Sequence, residues 1–215
     1  MAKPVRAIIF LHGAATRRSR LQTYLEDSPL LIGCDGGTEQ ITRLGLVPDV
    51  VLGDFDSYPD NGQQQIAGTT YIRHPADKDY TDGELAIRYA KEAGAQEIIL
   101  AGALGGRLDH LLGHVLLLNK REFAGLQVKI VDNQQEAYII RGKARVHGKK
   151  GSLISFLPFA GPVSVARSSG LAYDLSHYRI SPQHNLGISN VMLGSTAEIV
   201  ITRGALLVVC QLQES

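Results

Sequence analysis

Residues 49–57 read Asp-Val-Val-Leu-Gly-Asp-Phe-Asp-Ser, a short apolar run that ends in a glycine and two carboxylates. The run 50–52 is typical of a strand that is buried on both faces. If the backbone stays extended beyond Gly53, Asp54 and Asp56 point the same way, because side chains alternate along a strand. Such a carboxylate pair suits a hard divalent cation. The same residue types are equally common in a polar turn.

Similar apolar runs recur along the first 132 residues and alternate with segments of helical pattern. The predicted strands cover 5–11, 30–34, 49–52, 69–72, 97–101 and 127–131. The predicted helices lie near 17–26, 37–44, 59–67, 82–93 and 107–120. This alternation predicts a Rossmann-like α/β domain with a mostly parallel sheet. In such sheets ligands bind at the carboxyl ends of the strands.

The pattern changes after residue 133, where short β-rich runs are separated by Gly, Pro, Ser or Asn. Short strands of this kind predict an antiparallel sandwich or barrel of about 80 residues. We therefore expect two domains, an α/β domain over residues 1–133 and an all-β domain over residues 134–215.

The composition of the chain limits which binding partners and which cellular compartment we expect for the protein. The 215-residue chain has a formal net charge of +1 with no basic stripe, which argues against nucleic acid. Cys34 and Cys210 match no metal or disulfide pattern and fit a reducing compartment. The apolar run 7–11 is too short for a signal peptide or a membrane span. We expect a cytoplasmic protein that does not bind membranes.

A glycine pair follows the second predicted strand, in the sequence Asp35-Gly36-Gly37. Glycines let a backbone approach a ligand closely, and the free amides at a helix N-terminus favour an anion. Glycines are also common at strand-to-helix turns for purely local reasons. This motif alone therefore leaves both interpretations open.

Residues 77–84 read Asp-Lys-Asp-Tyr-Thr-Asp-Gly-Glu. Thr81 and Glu84 have the spacing of a capping box, so Thr81 and Asp82 have a structural explanation at the start of a helix. This explanation does not account for the charged residues that precede them, Asp77, Lys78 and Asp79. Lys78 suits phosphate oxygens, and a neighbouring carboxylate suits the cation that accompanies a phosphate.

Residues 102–110 read Gly-Ala-Leu-Gly-Gly-Arg-Leu-Asp-His. Arg107 follows glycines at a predicted helix N-terminus and is well placed for phosphate recognition, although it could equally be a surface arginine. Asp109 lies in the first turn, where an acid is mildly favoured. His110 and His114 have the spacing of a helical zinc pair but lack an evident third ligand, so we predict no zinc site.

The helix that follows Arg107 has an apolar stripe. We expect this stripe to be buried in the core. Its residues are Leu108, Leu111, Leu112 and Val115. By their three- and four-residue spacing, Arg107, His110 and His114 share a different face.

Taken together, these loops resemble those of the thiamine pyrophosphokinase family, in the same order along the chain. The matching motifs are Asp35-Gly36-Gly37, Gly53-Asp54-Phe55-Asp56-Ser57, Asp77-Lys78-Asp79-x-Thr81-Asp82, Gly105-Gly106-Arg107-Leu108-Asp109-His110 and Gly187-Ile188-Ser189-Asn190. Taken alone, the Ser-Asn pair of the last motif would be read as a turn.

The resemblance implies a β-sandwich for the all-β domain and a homodimer in which thiamine binds between the α/β domain of one subunit and the sandwich of the other. It also implies a Mg²⁺-dependent transfer of pyrophosphate from the co-substrate ATP to the hydroxyl of thiamine, giving thiamine diphosphate and AMP.

The resemblance further implies a role for each matching residue. The expected Mg²⁺ ligands are Asp54, Asp56 and Asp82. The expected ATP-binding residues are Asp35, Gly36, Gly37, Lys78, Thr81 and Arg107. The expected thiamine-binding residues are Asp109, Ser189 and Asn190. The expected catalytic residues are Asp54, Asp56, Asp82 and Arg107.

Two departures from the family pattern fall in the second domain. Val191 and Met192 stand where the family often has Glu and an aromatic residue. The chain also has no Trp, which stacks on thiamine in some members, so Tyr173 or another group is expected to take that place.

Two alternative functions can use the same residues. One is a Mg²⁺-dependent hydrolase of a nucleotide pyrophosphate. The other is a non-catalytic module that binds a nucleotide or thiamine. The retained carboxylates argue against the second, because a sensor needs no complete metal site.

Overall fold

The computed structural model describes residues 5–54, 66–75, 79–184 and 186–212. The chain divides into two units, Met1–Asn133 and Gln134–Ser215.

Parallel strands form the sheet of the first unit. Over its described residues the strands are β1 (Val5–Phe10), β2 (Leu30–Cys34), β3 (Val50–Gly53), β4 (Thr70–Arg73), β5 (Ala95–Ala101) and β6 (Gln127–Val131). Their order across the sheet is β4-β3-β2-β1-β5-β6, and every neighbouring pair is parallel. The predicted parallel sheet is therefore confirmed.

Helices follow most of these strands. They are α1 (Arg18–Leu21), α2 (Thr38–Arg43), α3 (Asp82–Glu92) and α4 (Leu108–Leu117), with 3-10 turns at Asp35–Gly37 and Arg121–Phe123. α1 is shorter than the predicted 17–26, and the chain beyond it turns through left-handed backbone at Asp27 and Ser28. Of the helix predicted near 59–67, residues 59–65 lie outside the described part of the chain.

Both faces of this sheet are covered, which explains the uninterrupted apolar runs. On one face, Ile8 and Phe10 of β1 pack with Leu21 and Ile41 from α1 and α2. Ala7 and Ile9 of β1 point to the other face and are also fully buried. A strand that is buried on both faces needs apolar residues at every position.

The strand order reverses direction between β1 and β5. The chain leaves β1 toward β2 on one side, and it leaves β5 toward β6 on the other side. The loops after these two adjacent strands therefore separate and open a crevice at the carboxyl edge of the sheet. Open α/β sheets bind ligands in a crevice of this kind.

A buried glutamine holds the loop after β1 in place. Gln40 of α2 is only 6% exposed. Its Nε2 donates to the carbonyl oxygens of Leu11 at 2.7 Å and Gly13 at 3.2 Å. Its Oε1 accepts from the amide of Thr16 at 3.4 Å. One side chain thus fixes both ends of the loop that borders the crevice.

The second unit is built from antiparallel strands. In its described residues they are β7 (Gln135–Ile140), β8 (Lys143–His147), β9 (Leu153–Ser169), β10 (Arg179–Ile180), β11 (Asn190–Val191) and β12 (Thr196–Gln211). β12 pairs with β9 on one side and with β8 and β7 on the other. β10 and β11 both pair with β9.

The two long strands of this unit fold back over a single core. The pairing of β12 with β9 shifts register between residues 200 and 205, and Gly204 in this region has a positive φ of 90°. Residues from both halves of these strands, including Phe156, Val165, Ile199 and Val208, belong to one buried cluster. The predicted antiparallel sandwich is confirmed.

The Gln40 contacts predict a measurable loss of stability. In Gln40→Ala the buried carbonyl group of Leu11 and the partly buried one of Gly13 lose their donor. We therefore expect the free energy of unfolding to fall by about 1–3 kcal/mol. Denaturant unfolding followed by circular dichroism measures this change. The control Gln22→Ala, at an exposed position, should stay within about 0.5 kcal/mol of the wild type. Equal midpoints for the two variants would contradict this role for Gln40.

Candidate active site

A cavity of about 550 Å³ lies at the carboxyl edge of the first unit's sheet. Its walls come from the loops after β1, β2, β3 and β5 and from the first turn of α3. Five of the predicted site residues line it, namely Asp35, Asp54, Thr81, Asp82 and Arg107. Loops that are far apart in sequence thus bring these residues to one cavity.

The absence of a side chain at Gly53 allows Asp35 to take its position. Asp35 has a left-handed φ of 43°. A Cβ atom on Gly53 would lie 1.6 Å from Oδ1 of Asp35. The Asp35 carboxylate therefore lies against the end of β3, directly before Asp54. The Asp35 carboxylate can take this place only because position 53 is glycine.

The glycines of the Asp-Gly-Gly turn pack against the end of β1. A Cβ atom on Gly37 would lie 2.0 Å from the carbonyl oxygen of Phe10. A Cβ atom on Gly36 would lie 2.7 Å from the ring of His12. His12 also lines the cavity. His12 is not among the residues predicted from the sequence, although its place directly after β1 was a usable signal.

The N-terminus of α3 is capped as predicted. Oγ1 of Thr81 accepts a hydrogen bond from the amide of Glu84 at 3.3 Å. The Glu84 carboxylate does not complete a capping box but binds Arg88, at 3.2 Å, and Lys120. The Arg88 guanidinium lies 4.0 Å from the centre of the Tyr80 ring. Tyr80, which the sequence analysis also missed, lines the cavity next to Thr81.

Arg107 and Asp109 form an ion pair at the start of α4. Two hydrogen bonds join them, at 2.6 and 3.1 Å. The bonded guanidinium holds the pKa of Asp109 below its usual value, and Asp109 in turn raises the pKa of Arg107. Both side chains are mostly exposed, and exposed pairs contribute little to stability. Arg107 or Asp109 can therefore leave this ion pair and bind a ligand instead.

Two histidines of α4 line the same cavity as Arg107. Burial lowers the pKa of His114 from its usual value, and its Nδ1 lies 3.2 Å from the carbonyl oxygen of Ala103. Because a carbonyl only accepts, Nδ1 carries the proton and Nε2 is the acceptor. A Cβ atom on Gly83 would lie 3.5 Å from Nε2. His114 thus joins the loop after β5 to the start of α3.

The expected burial of the α4 stripe is wrong for this chain. Leu108 and Leu112 are 70% and 52% exposed, and Leu116 is 64% exposed. Leu111 and Val115 are half-buried. The helix turns Leu117 into the core, and the face that carries Leu108, Leu112 and Leu116 remains uncovered.

The described carboxylates fit a magnesium site that the substrate completes. Asp56 and Lys78 lie outside the described residues. Among the residues that are described, no group of three His, Cys, Asp or Glu side chains is placed to hold a metal. Mg²⁺ is commonly held by one or two carboxylates together with substrate phosphates. Asp54 and Asp82 supply such carboxylates to one cavity.

Of the predicted residues of the second unit, Ser189 lies in the turn before β11, and Asn190 begins β11, which pairs with β9. Ser189 is exposed, has a left-handed φ of 58°, and its amide donates to Oγ of Ser155 at 3.1 Å. Asn190 is only 2% exposed. The amide nitrogen of Tyr173 donates to Oδ1 of Asn190 at 3.0 Å. The Tyr173 ring itself is exposed.

Two family models match the chain. The model described as "Thiamin pyrophosphokinase, catalytic domain" matches residues 21–130, and "Thiamin pyrophosphokinase, vitamin B1 binding domain" matches residues 137–206. The chain belongs to the thiamin pyrophosphokinase family. The family resemblance and the class of enzyme predicted from the sequence are confirmed.

Individual relatives agree with the family models. Thiamine pyrophosphokinase of Bacillus subtilis (strain 168) is 30% identical over 193 residues, which cover 88% of this chain and 90% of that protein. A crystal structure of the Bacillus subtilis enzyme has a TM-score of 0.85 at 26% identity and covers 99% of this chain and 100% of that one. The structure from Geobacillus thermodenitrificans has a TM-score of 0.81 at 30% identity, with 98% and 99% covered.

None of the helices in the described part of the chain is long and apolar enough to cross a membrane.

The packing of Asp35 on Gly53 predicts a sensitive position. In Gly53→Ala the new methyl group displaces the Asp35 carboxylate, and we expect turnover to fall about 100-fold, as misplacements of about 1 Å do in active sites. Steady-state kinetics with the catalytic substrates measures the change. The control Gly194→Ala places its methyl group in open space and should leave turnover unchanged. Wild-type activity in Gly53→Ala would show that the position of Asp35 does not matter.

Proposed function

We propose that the chain transfers pyrophosphate from ATP to the hydroxyl of thiamine in a Mg²⁺-dependent reaction, giving thiamine diphosphate and AMP. One observation carries this proposal. Asp54, Asp82 and Arg107 line a single cavity at the strand-order reversal of a chain that matches both the catalytic and the vitamin B1 binding models.

The cavity has the size and polarity for a nucleotide. Its volume of about 550 Å³ falls within the range of small-molecule sites, roughly 300–1,000 Å³. The first turn of α3, at Asp82 and Gly83, presents helix amides to the cavity, and Arg107 adds a guanidinium. Both features favour phosphate oxygens. Asp35, Gly36, Gly37, Thr81 and Lys78 complete the proposed ATP site.

Magnesium belongs to the same proposal. Asp54 and Asp82 would hold it, with Asp56 as the third predicted ligand. When bound, the ion neutralises charge on the transferring phosphates. The chain's own contribution is to place Arg107 and the α3 amides on the phosphates, since phosphoryl-type transfer depends mainly on position and charge.

Thiamine is proposed to contact Asp109, Ser189 and Asn190, with Tyr173 taking the place of the absent tryptophan. Its thiazolium ring is cationic. Nearby carboxylates attract a cation of this kind, and an aromatic face stabilises it at short range. The exposed Tyr173 ring is available for such a contact.

We also propose that the enzyme is a homodimer in the cytoplasm, with active sites shared between subunits. The leucine face of α4, defined by Leu108, Leu112 and Leu116, supports the dimer, because three large apolar side chains are left exposed on one helix. Cys34 and Cys210 are buried thiols, which fits a reducing compartment.

A product assay tests this function directly. The protein is incubated with ATP and Mg²⁺, with and without thiamine, and both AMP and thiamine diphosphate are quantified. We expect the two products to rise together, one to one, only when thiamine is present. AMP release that is independent of thiamine would instead support the pyrophosphate hydrolase. Ligand binding without turnover would support the non-catalytic module.

The metal assignment predicts severe catalytic variants. Asp54→Asn and Asp82→Asn each remove one charge from the proposed magnesium site. We expect each to lower turnover by at least about 100-fold, because charge stabilisation is the main catalytic term. The control Glu92→Gln removes an exposed carboxylate at the end of α3 and should keep wild-type turnover. Near-normal rates in both aspartate variants would refute the assignment.

The leucine face of α4 predicts the oligomeric state. A charge in an apolar interface is unfavourable when it is unpaired, so Leu112→Glu should shift the sedimenting species from dimer to monomer. Val47→Glu introduces the same charge at another exposed apolar residue and should leave the dimer intact. A wild-type protein that sediments as a fully active monomer would overturn the dimer proposal.

A further inference from the structure

Tyr173 is an exposed aromatic residue on a rigidly held backbone. Its side chain is 66% exposed. The segment before it pairs with β11 and the residues that follow β11. Leu171 is bridged to Met192, and the amide of Ala172 donates to the carbonyl oxygen of Val191 at 2.9 Å. This short antiparallel ladder fixes the chain as far as residue 172.

The side chain of Asn190 extends this ladder by one residue. Its Oδ1 accepts from the amide of Tyr173 at 3.0 Å, and its Nδ2 donates to the carbonyl oxygen of Tyr173 at 2.8 Å. The carboxamide therefore pairs with the peptide groups of Tyr173 as a neighbouring strand would. Asn190 is itself held in β11, opposite Ile154 of β9.

Hydrogen bonds to the Asp174 side chain also fix the chain after Tyr173. Oδ1 of Asp174 accepts from Oγ of Ser168 at 2.6 Å and from the amide of Ser176 at 2.8 Å. These hydrogen bonds lower the pKa of Asp174 to about 2, so the carboxylate is ionised at neutral pH. The side-chain hydrogen bonds of Asn190 thus fix the backbone of Tyr173 itself, and those of Asp174 fix the chain directly after it.

The carboxamide oxygen of Asn190 is already committed to backbone amides, and its Nδ2 already donates to the carbonyl oxygen of Tyr173. Oδ1 accepts a second hydrogen bond, from the amide of Val191 at 2.8 Å, and the residue is only 2% exposed. A carbonyl oxygen has two lone pairs, and both are used. A direct bond from thiamine to Oδ1 would therefore have to displace a backbone amide. The geometry favours an indirect role.

We propose that Asn190 is a positioning residue that acts through Tyr173. It holds the Tyr173 backbone so that the exposed ring presents its face to the thiamine ring system. The inference rests on the proposed function. It replaces the direct thiamine contact of Asn190 proposed above, which came from the family resemblance, by a role in supporting the residue that makes the contact.

A double-mutant cycle on the intact protein tests this role, with thiamine binding measured by titration calorimetry. Tyr173→Ala should weaken thiamine binding about tenfold, as expected for the loss of one aromatic contact with a cation. Tyr173→Phe keeps the ring and should bind as the wild type does. Asn190→Ala should weaken binding by a similar factor, and the double variant should lose no more than Tyr173→Ala alone, because coupled residues are not additive.

Two controls separate positioning from general damage. Affinity for a non-hydrolysable ATP analogue should be unchanged in every variant, whereas misfolding would lower both affinities. Tyr178→Ala removes another exposed tyrosine of the same unit and should bind thiamine normally. If Asn190→Ala does not fold, Asn190→Asp provides the same cycle, since it keeps the acceptor and loses the donor to Tyr173.

Each outcome decides the matter. Additive losses of about a hundredfold in the double variant would show that Asn190 contacts thiamine itself. Unchanged binding in Tyr173→Ala, or an equal loss in Tyr178→Ala, would also overturn the inference while leaving the proposed function intact. A wild-type protein that does not bind thiamine would overturn the proposed function and this inference together.

Discussion

The candidate active site depends on the reversal of strand order between β1 and β5. These adjacent parallel strands send the chain in opposite directions, so the loops that follow them separate at one edge of the sheet. The 550 Å³ cavity lies at this edge. Five residues of the matching motifs line it because the motifs follow strands of the same parallel sheet, namely Asp35, Asp54, Thr81, Asp82 and Arg107.

Glycines let the loops at the carboxyl edge of the sheet pack closely, which brings charged side chains near one another. Gly13 packs directly on the loop after β5, where a Cβ atom would lie 2.3 Å from the carbonyl oxygens of Gly102 and Leu104. Gly53 plays the same part for Asp35. Because these glycines remove bulk, carboxylates and helix amides meet in a volume suited to a nucleotide. The cavity therefore contains both carboxylates and a guanidinium. This combination suits a phosphate with its bound metal ion better than it suits a metal ion alone or a phosphate alone.

The sequence predicted most of this architecture because its signals are local. Apolar runs with flanking glycines marked the strands, and the spacing of Thr81 and Glu84 marked the cap of α3, which the hydrogen bond between them confirms. Tertiary features were harder to predict. The helical period of α4 predicted an apolar stripe but did not show that Leu108 and Leu112 would face outward. No sequence pattern indicated that the Asn190 carboxamide would hydrogen-bond the backbone of Tyr173, seventeen residues away.

The most direct test of this account is a crystal structure with Mg²⁺ and a non-hydrolysable ATP analogue. We expect the phosphates to lie in the crevice between the loops after β1 and β5, with Arg107 on the phosphate oxygens and Asp54 and Asp82 on the metal. A nucleotide bound at any other surface, with this crevice unchanged, would show that the strand-order reversal does not create the active site.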